Sequence, residues 1–325
     1  MQPPNILITN YCNQNCPFCF ARTEMKKTTI DREMSLKDFE DVLKKMKRNK
    51  IDTVKLLGGE PTLHSKFEEI IKMSLNYFSN VQVFTNGIIS DDKASFLADY
   101  FPRVKLTVNI MTPGFLIQKN IRQLVIKRLN EFSRRTEVTL SLTIDTATDI
   151  SLILKTITPH VIKQVTGIRI GFANPIAGEK NFLTFEQFPK IGKQLYLLIK
   201  AVKSVNPRIK LSLNCGFTRC MFTDKQYDYL ARNDLIISGW GCFGKGSSMD
   251  IQTNLSAFHC FPLSKNQPSL KENSLNAVNR RLLKNRYTYW TETSLKECKK
   301  CLFYGHVPGK CPGPCIAFLI NQSNS

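Results

Sequence analysis

Nothing in this sequence is long and apolar enough to span a membrane: no stretch approaches the roughly 18 uncharged apolar residues that a spanning helix needs. Residues 1–10 carry no basic segment followed by an apolar run, so a secretory signal is not expected either. Internal repeats and low-complexity tracts are absent, and histidine is scarce, with four in 325 residues. Carboxylates are few beside the cations, 26 against 46, which leaves a formal charge of +20. Residues 20–214 contain no cysteine at all, although the chain has eleven. With an ordinary hydrophobic fraction of 42%, these absences point to a soluble cytoplasmic protein with a sizeable core.

The cysteines that are present fall into two groups. Three lie at Cys12, Cys16 and Cys19, and eight at Cys215, Cys220, Cys242, Cys260, Cys298, Cys301, Cys311 and Cys315. A reducing cytoplasm disfavours disulfides, and an odd total fits a paired framework badly. Clustered cysteines in that setting indicate metal or catalysis, here in two separate regions. The positive charge favours an acidic partner, whether a Glu/Asp-rich peptide, a phosphorylated small molecule or nucleic acid. The plain alternative is a solvated lysine surface, because the lysines are spread along the chain.

Up to about residue 205, β-type runs alternate with amphipathic helices. Strands are expected at residues 5–9, 53–57, 81–85, 104–110, 138–144 and 167–172, with a Val, Ile, Leu and Phe content that suits burial on both faces. Ser35-x-x-Asp38, Ser65-x-x-Glu68 and Thr184-x-x-Gln187 read as helix starts. Six strand–helix units in succession indicate an α/β fold with a parallel sheet, either a partial barrel or an open doubly wound sheet. In both, chemistry belongs at the C-terminal ends of the strands. Beyond about Lys210 helical periodicity fades, and a loop-rich segment of this kind is most readily held together by metal. The expected division is residues 1–208 and 209–325.

Three thiolates on one short loop can hold three corners of a [4Fe–4S] cube and leave one iron open to bind and activate a ligand. Forty residues on, Leu57-Gly58-Gly59-Glu60-Pro61-Thr62 ends the second strand with glycines that allow close backbone approach and a carboxylate suited to an ammonium. Together, Cys12-Asn13-Gln14-Asn15-Cys16-Pro17-Phe18-Cys19 and this turn resemble the cluster loop and GGEP motif of the radical S-adenosylmethionine (SAM) superfamily, over roughly residues 4–175. The resemblance implies a partial (β/α)6 TIM-like barrel in which Cys12, Cys16 and Cys19 ligate the cluster. It implies SAM-binding positions at Phe18, Gly58, Gly59 and Glu60, the last three holding the amino group. The implied chemistry is reductive cleavage of SAM to a 5′-deoxyadenosyl radical that takes hydrogen from a substrate. Thr85-Asn86-Gly87 closes the third strand, as a similar turn does in the family. The fourth strand departs from the pattern, with Val108-Asn109-Ile110-Met111 where relatives show Ser-Leu-Asp-Gly. Asn109 is therefore a candidate for the SAM ribose or carboxylate, and Arg122 for the carboxylate.

Cys298-x-x-Cys301 and Cys311-x-x-x-Cys315, with Cys242 and Cys260 upstream, resemble the SPASM extension found behind many radical SAM domains. That implies a loop-rich, cysteine-rich C-terminal Fe–S extension with one or two auxiliary [4Fe–4S] clusters. Three clusters on eleven thiolates would still leave a charge of about +15. The tail motif has a longer middle gap than usual and no cysteine after Cys315, so an upstream cysteine has to replace the missing one; which one stays open. Zinc is the competing metal for paired cysteines, and His306 is a further candidate ligand. His64, just past the GGEP turn, is either substrate-facing or a helix-start residue.

The resemblance implies a maturase that oxidises or cross-links an acidic ribosomal peptide or protein, formylglycine formation on a sulfatase included. An electron donor such as flavodoxin or ferredoxin is implied, and no membrane. The first strand starts at residue 5, so substrate recognition is expected from the barrel, the tail or a separate protein. The alternatives are the same chemistry on a small molecule (an alcohol, sugar or amino acid derivative) and a metal-stapled nucleic-acid-binding protein.

Overall fold

The computed structural model describes residues 1–19, 21–22, 32–144, 148–173, 184–214, 216–235, 249–263, 267–292, 295–305 and 310–315. Seven parallel strands are β1 (Asn5–Thr9), β2 (Thr53–Gly58), β3 (Asn80–Thr85), β4 (Val104–Asn109), β5 (Val138–Ile144), β6 (Gly167–Phe172) and β7 (Lys210–Leu213). They lie in unbroken sequential order, β7-β6-β5-β4-β3-β2-β1. A doubly wound sheet reverses its order at a switch point, whereas a barrel winds one way, so the order selects the barrel. A short hairpin from the tail, β8 (Asp250–Ile251) and β9 (Ala257–Phe258), extends the sheet beyond β1, with β8 parallel to β1 and β9 antiparallel to β8. β7 and β9 are the two edges of this sheet.

The helices are α1 (Leu36–Arg48), α2 (Phe67–Tyr77), α3 (Asp91–Ala98), α4 (Pro113–Ile117), α5 (Lys119–Phe132), α6 (Ile150–Thr156), α7 (Pro159–Gln164), α8 (Phe188–Val205), α9 (Asp224–Arg232), α10 (Leu275–Glu292) and α11 (Lys296–Lys299). Their apolar stripes share one continuous core with alternate strand residues: Phe39 and Leu43 of α1, Phe67 and Ile70 of α2, Ile6, Ile8, Val54, Leu56, Val81 and Val83 of the sheet. Ser35 caps α1 as expected, its Oγ accepting from Asp38 N at 3.0 Å. Thr184 and Gln187 form the expected capping box ahead of α8.

Ser65 does not cap α2. A 3-10 turn over Pro61–Leu63 comes first, and Lys66 N donates to His64 Nδ1 at 2.9 Å. His64 Nε2 lies 3.0 Å from Met34 O, so this ring is a buried brace at a helix start. Ser65 turns instead to Glu33, its N–H and Oγ–H donating at 2.7 and 2.6 Å.

One further expectation is corrected. The strands are not apolar on both faces: β5 reads Val-Thr-Leu-Ser-Leu-Thr-Ile and buries every second residue. Inside the barrel, polar Lys55, Gln82, Ser141 and Arg169 are half-buried, because the lumen is a polar space and not a packed core. The loop-rich tail carries regular elements as well. It contributes α9 and the 18-residue α10, and β7 lies just past the expected boundary. An edge strand with no fully buried residue gives no apolar run to read.

Asp250 of β8 is buried in this lumen, accepting from Asn5 Nδ2 at 2.6 Å near Lys55 and Arg169. Burial pushes its carboxyl up to about 7, against the pull of Asn5 and the two cations. A carboxyl raised on folding contributes stability at low pH that is lost as pH rises from the unfolded value through the folded one. Wild-type protein should therefore melt progressively lower as pH rises from about 4 to about 7, and Asp250→Asn should flatten that slope. Parallel slopes in thermal melts of the two proteins would show that the Asp250 carboxyl titrates alike in the folded and unfolded chain.

Candidate functional site

The loop carrying Cys12, Cys16 and Cys19 leaves the C-terminal end of β1 and is tied to the ends of the next three strands. Gly59 N donates to Thr9 O at 2.8 Å and Glu60 N to Tyr11 O at 2.7 Å. Asn86 Nδ2, past the end of β3, donates to Asn13 Oδ1 at 2.7 Å, and Gly114 N, past β4, donates to Gln14 Oε1 at 2.9 Å. Gly58 lies so close to β1 that a Cβ there would overlap Thr9 O. That is why glycine stands at this strand end.

Cys12 is exposed, and Cys16 and Cys19 are half-buried. Cys16 packs against the main core, which also buries Phe18. Cys19 packs on a smaller cluster formed by Leu7, Ala21, Phe258 and Phe261, so the tail supplies part of the wall of this loop. Burial, then the neighbouring Cys19 and Cys12 thiols, push Cys16 up to about 12, and burial raises Cys12 and Cys19 as well. Such thiols ionise only against strong positive charge, which metal supplies. Among the described residues no three His, Cys, Asp or Glu side chains close on a single ion. Three thiols on one loop suit a cluster that keeps one corner open.

The Glu60 carboxylate is fully buried and engaged by its own chain. Its Oε1 accepts from Thr62 N at 3.3 Å, Thr62 Oγ at 2.8 Å and Thr85 Oγ at 2.8 Å, and its Oε2 from Asn86 N at 2.7 Å. Burial holds this carboxyl above the usual carboxylate range, with the four donors pulling the other way. The side chain thus ties the ends of β2 and β3 together, and the half-buried Gly58 and Gly59 are the accessible part of the motif. Asn109 Oδ1 accepts from Met111 N at 3.0 Å, shaping the turn after β4. Arg122 donates to the carbonyls of Phe115 and Leu116, which occupies Nε and one terminal nitrogen of its guanidinium on α4. Asn13, Gln14 and Gly114 were missed as positioning residues, because contacts across a hundred positions leave no local signal.

Cys220, in the turn Arg219–Met221 after β7, and Cys298, Cys301 and Cys311 of the tail line one cavity of about 70 Å³ together with Phe185 and Phe188. Burial, and then Cys311, Cys220 and Cys301, push Cys298 up to about 12. Cys260 packs beside Leu295 and Cys298, and Cys315 is buried in the main core. Cys215, Cys242 and His306 lie outside the described residues.

A barrel with thiols and a Gly-Gly-Glu turn at its C-terminal rim defines a class of metal- and SAM-dependent enzymes. Residues 6–165 match the family model described as the Radical SAM superfamily: the chain carries a radical SAM domain over that stretch and is an enzyme. The family implies a [4Fe–4S] cluster and SAM as cofactors. Over 87 residues the chain is 38% identical to 7,8-dihydro-6-hydroxymethylpterin dimethyltransferase of Methanocaldococcus jannaschii, covering 26% of this chain and 17% of that protein. Over 103 residues it is 29% identical to the sporulation killing factor maturation protein SkfB of Bacillus subtilis, covering 32% of this chain and 24% of SkfB. The chain thus matches less than a quarter of the length of these curated relatives. The solved structure of Streptococcus suis SuiB bound to S-adenosylmethionine superposes with a TM-score of 0.67 at 16% identity, covering 93% of this chain and 71% of SuiB. SuiB bound to precursor peptide SuiA gives 0.64 at 15% identity, with 92% and 70% covered. At that identity the likeness is one of fold. No helix among the described residues is long and apolar enough to cross a membrane.

Glu60→Gln tests the brace. The amide would set its N–H2 against Asn86 N–H or, turned over, against Thr62 N–H, at a cost of about 1–3 kcal/mol. The metal-free, SAM-free variant should melt several degrees below wild type; a residue that only held SAM would leave that melt unchanged.

Proposed function

We propose that this enzyme modifies a ribosomally made peptide or protein by abstracting a hydrogen atom from it. The bound cluster and SAM supply one electron and a 5′-deoxyadenosyl radical. Cys12, Cys16 and Cys19 hold the three protein corners of the cluster, and Asn13, Gln14 and Asn86 fix that loop over the lumen. The carbonyls of Gly58 and Gly59 receive the SAM amino group, with Glu60 holding them in place from behind. The Lys55 and Arg169 side chains inside the barrel favour an acidic group on the substrate. Cys220, Cys260, Cys298, Cys301, Cys311 and Cys315, with Cys215 and Cys242, ligate auxiliary iron.

The observation that carries the reading is the extent of the fold likeness. It runs through the cysteine-bearing tail as well as the barrel, over 92% of this chain, to a protein whose structure is bound to a precursor peptide. The name of SkfB supports it from a second direction. The pterin dimethyltransferase similarity keeps a small-molecule substrate as the second reading.

Anaerobically reconstituted protein, given SAM and dithionite, should form 5′-deoxyadenosine. Replacing Cys12, Cys16 and Cys19 with alanine should abolish this and remove about four irons per chain while the tail keeps its own. A co-encoded peptide should change mass in the full reaction. SAM cleavage that proceeds while every such peptide keeps its mass would favour the small-molecule reading.

A further inference from the structure

The tail motif lacks its last cysteine, and the fold brings one to it from the barrel. Cys220 sits in the 3-10 turn Arg219–Met221, directly after β7. This turn is rigidly seated. Phe217 and Met221 are fully buried, and α8 passes so close that a Cβ on Gly192 would overlap Met221 O. Cys220 is therefore presented from a fixed shelf on the barrel.

Facing it are three thiols from a segment about 80 positions later. Cys298 lies on α11 and Cys301 just past it, with Cys301 N donating to Cys298 O at 3.0 Å. Cys311 returns beside Tyr304, its N–H donating to Phe303 O at 2.8 Å. The two sides touch: Arg219 N donates to Cys311 Sγ at 3.4 Å, and the Arg219 guanidinium lies over the rings of Tyr227, on α9, and Phe303, at 4.4 and 4.9 Å. Thr218 Oγ stands 3.1 Å from Cys220 Sγ.

We propose that Cys220, Cys298, Cys301 and Cys311 are the complete ligand set of one auxiliary iron–sulfur cluster, with Cys220 taking the corner that the tail motif leaves empty. The inference rests on the reading that the tail binds iron. A single zinc ion would draw its sulfurs to about 2.3 Å from the metal and roughly 3.8 Å from one another. Here the four thiols line one cavity of about 70 Å³. Four thiols around a space are what a cube with four protein corners requires. Amide and hydroxyl neighbours at the sulfurs, such as Arg219 N and Thr218 Oγ, are the kind that tune cluster potential. The cluster would join barrel and tail through metal, with Cys260 and Cys315 belonging elsewhere.

The test is differential alkylation of the full, anaerobically reconstituted chain, read by mass spectrometry of each cysteine. Cys220, Cys298, Cys301 and Cys311 should be protected together and become reactive together as the cluster is oxidised away. Cys220→Ala should lose about four irons per chain, and Cys260→Ala should leave that set of four protected. Cys220 alkylated while the other three stay protected would overturn the inference and leave tail iron standing. Wild-type protein holding only about four irons, with all tail thiols reactive, would overturn both. If Cys220→Ala fails to fold, the wild-type protection pattern decides the matter alone.

Discussion

The active end of this molecule depends on the close approach of two backbones. Where Gly58 leaves β2 it runs against Thr9 of β1 with no room for a side chain, and the amides of Gly59 and Glu60 bond to Thr9 O and Tyr11 O. These contacts fix the glycine turn against the stem of the cysteine loop, so the metal-binding and cofactor-binding segments form a single unit. Every other tie, from Asn86 to Asn13 and from Gly114 to Gln14, adds to a geometry this approach has already set. Glu60 serves the same end from beneath. Four donors converge on a carboxylate shut off from solvent, which holds the ends of β2 and β3 at one level.

The tail is integrated with the barrel rather than appended to it. β8 lies beside β1 as another parallel strand, Phe258 and Phe261 pack on Cys19, and Lys45 of α1 donates to Leu270 O. Cys260 lies between those two phenylalanines and also packs toward Leu295 and Cys298. Residues 258–261 thus serve both the wall of the N-terminal cysteine loop and the packing around Leu295.

What the sequence made legible was local. The six expected strands match the observed ones to within a residue at each end, because their Val, Ile, Leu and Phe runs and flanking turns are contained in short windows. The cysteine loop and the Gly-Gly-Glu turn were equally plain. Features that depend on distant partners left no such trace: the role of Glu60 as a tie, Gln14 against Gly114, the lumen placement of Asp250, and the convergence of Cys220 with Cys298. The fading of helical periodicity misled. Helix α10 has a weakly segregated surface, with exposed Leu283 and Tyr287 and buried Arg286, so its pattern did not stand out from loop. Ser65 misled for a different reason, since its hydroxyl found a better acceptor in Glu33 than in its own helix.

The pairing of β8 with β1 also bears on synthesis. Asn5 N bonds to Met249 O, and its side chain bonds to Asp250, 245 positions along the chain. A polypeptide leaving the ribosome N-terminus first presents β1 with one open edge until β8 has emerged, and an unpaired edge is where neighbouring nascent chains attach. The cysteine loop likewise gains its Phe258 and Phe261 wall only then. The wall beside Cys19 is thus complete only when a segment more than 200 positions further along the chain has folded onto it.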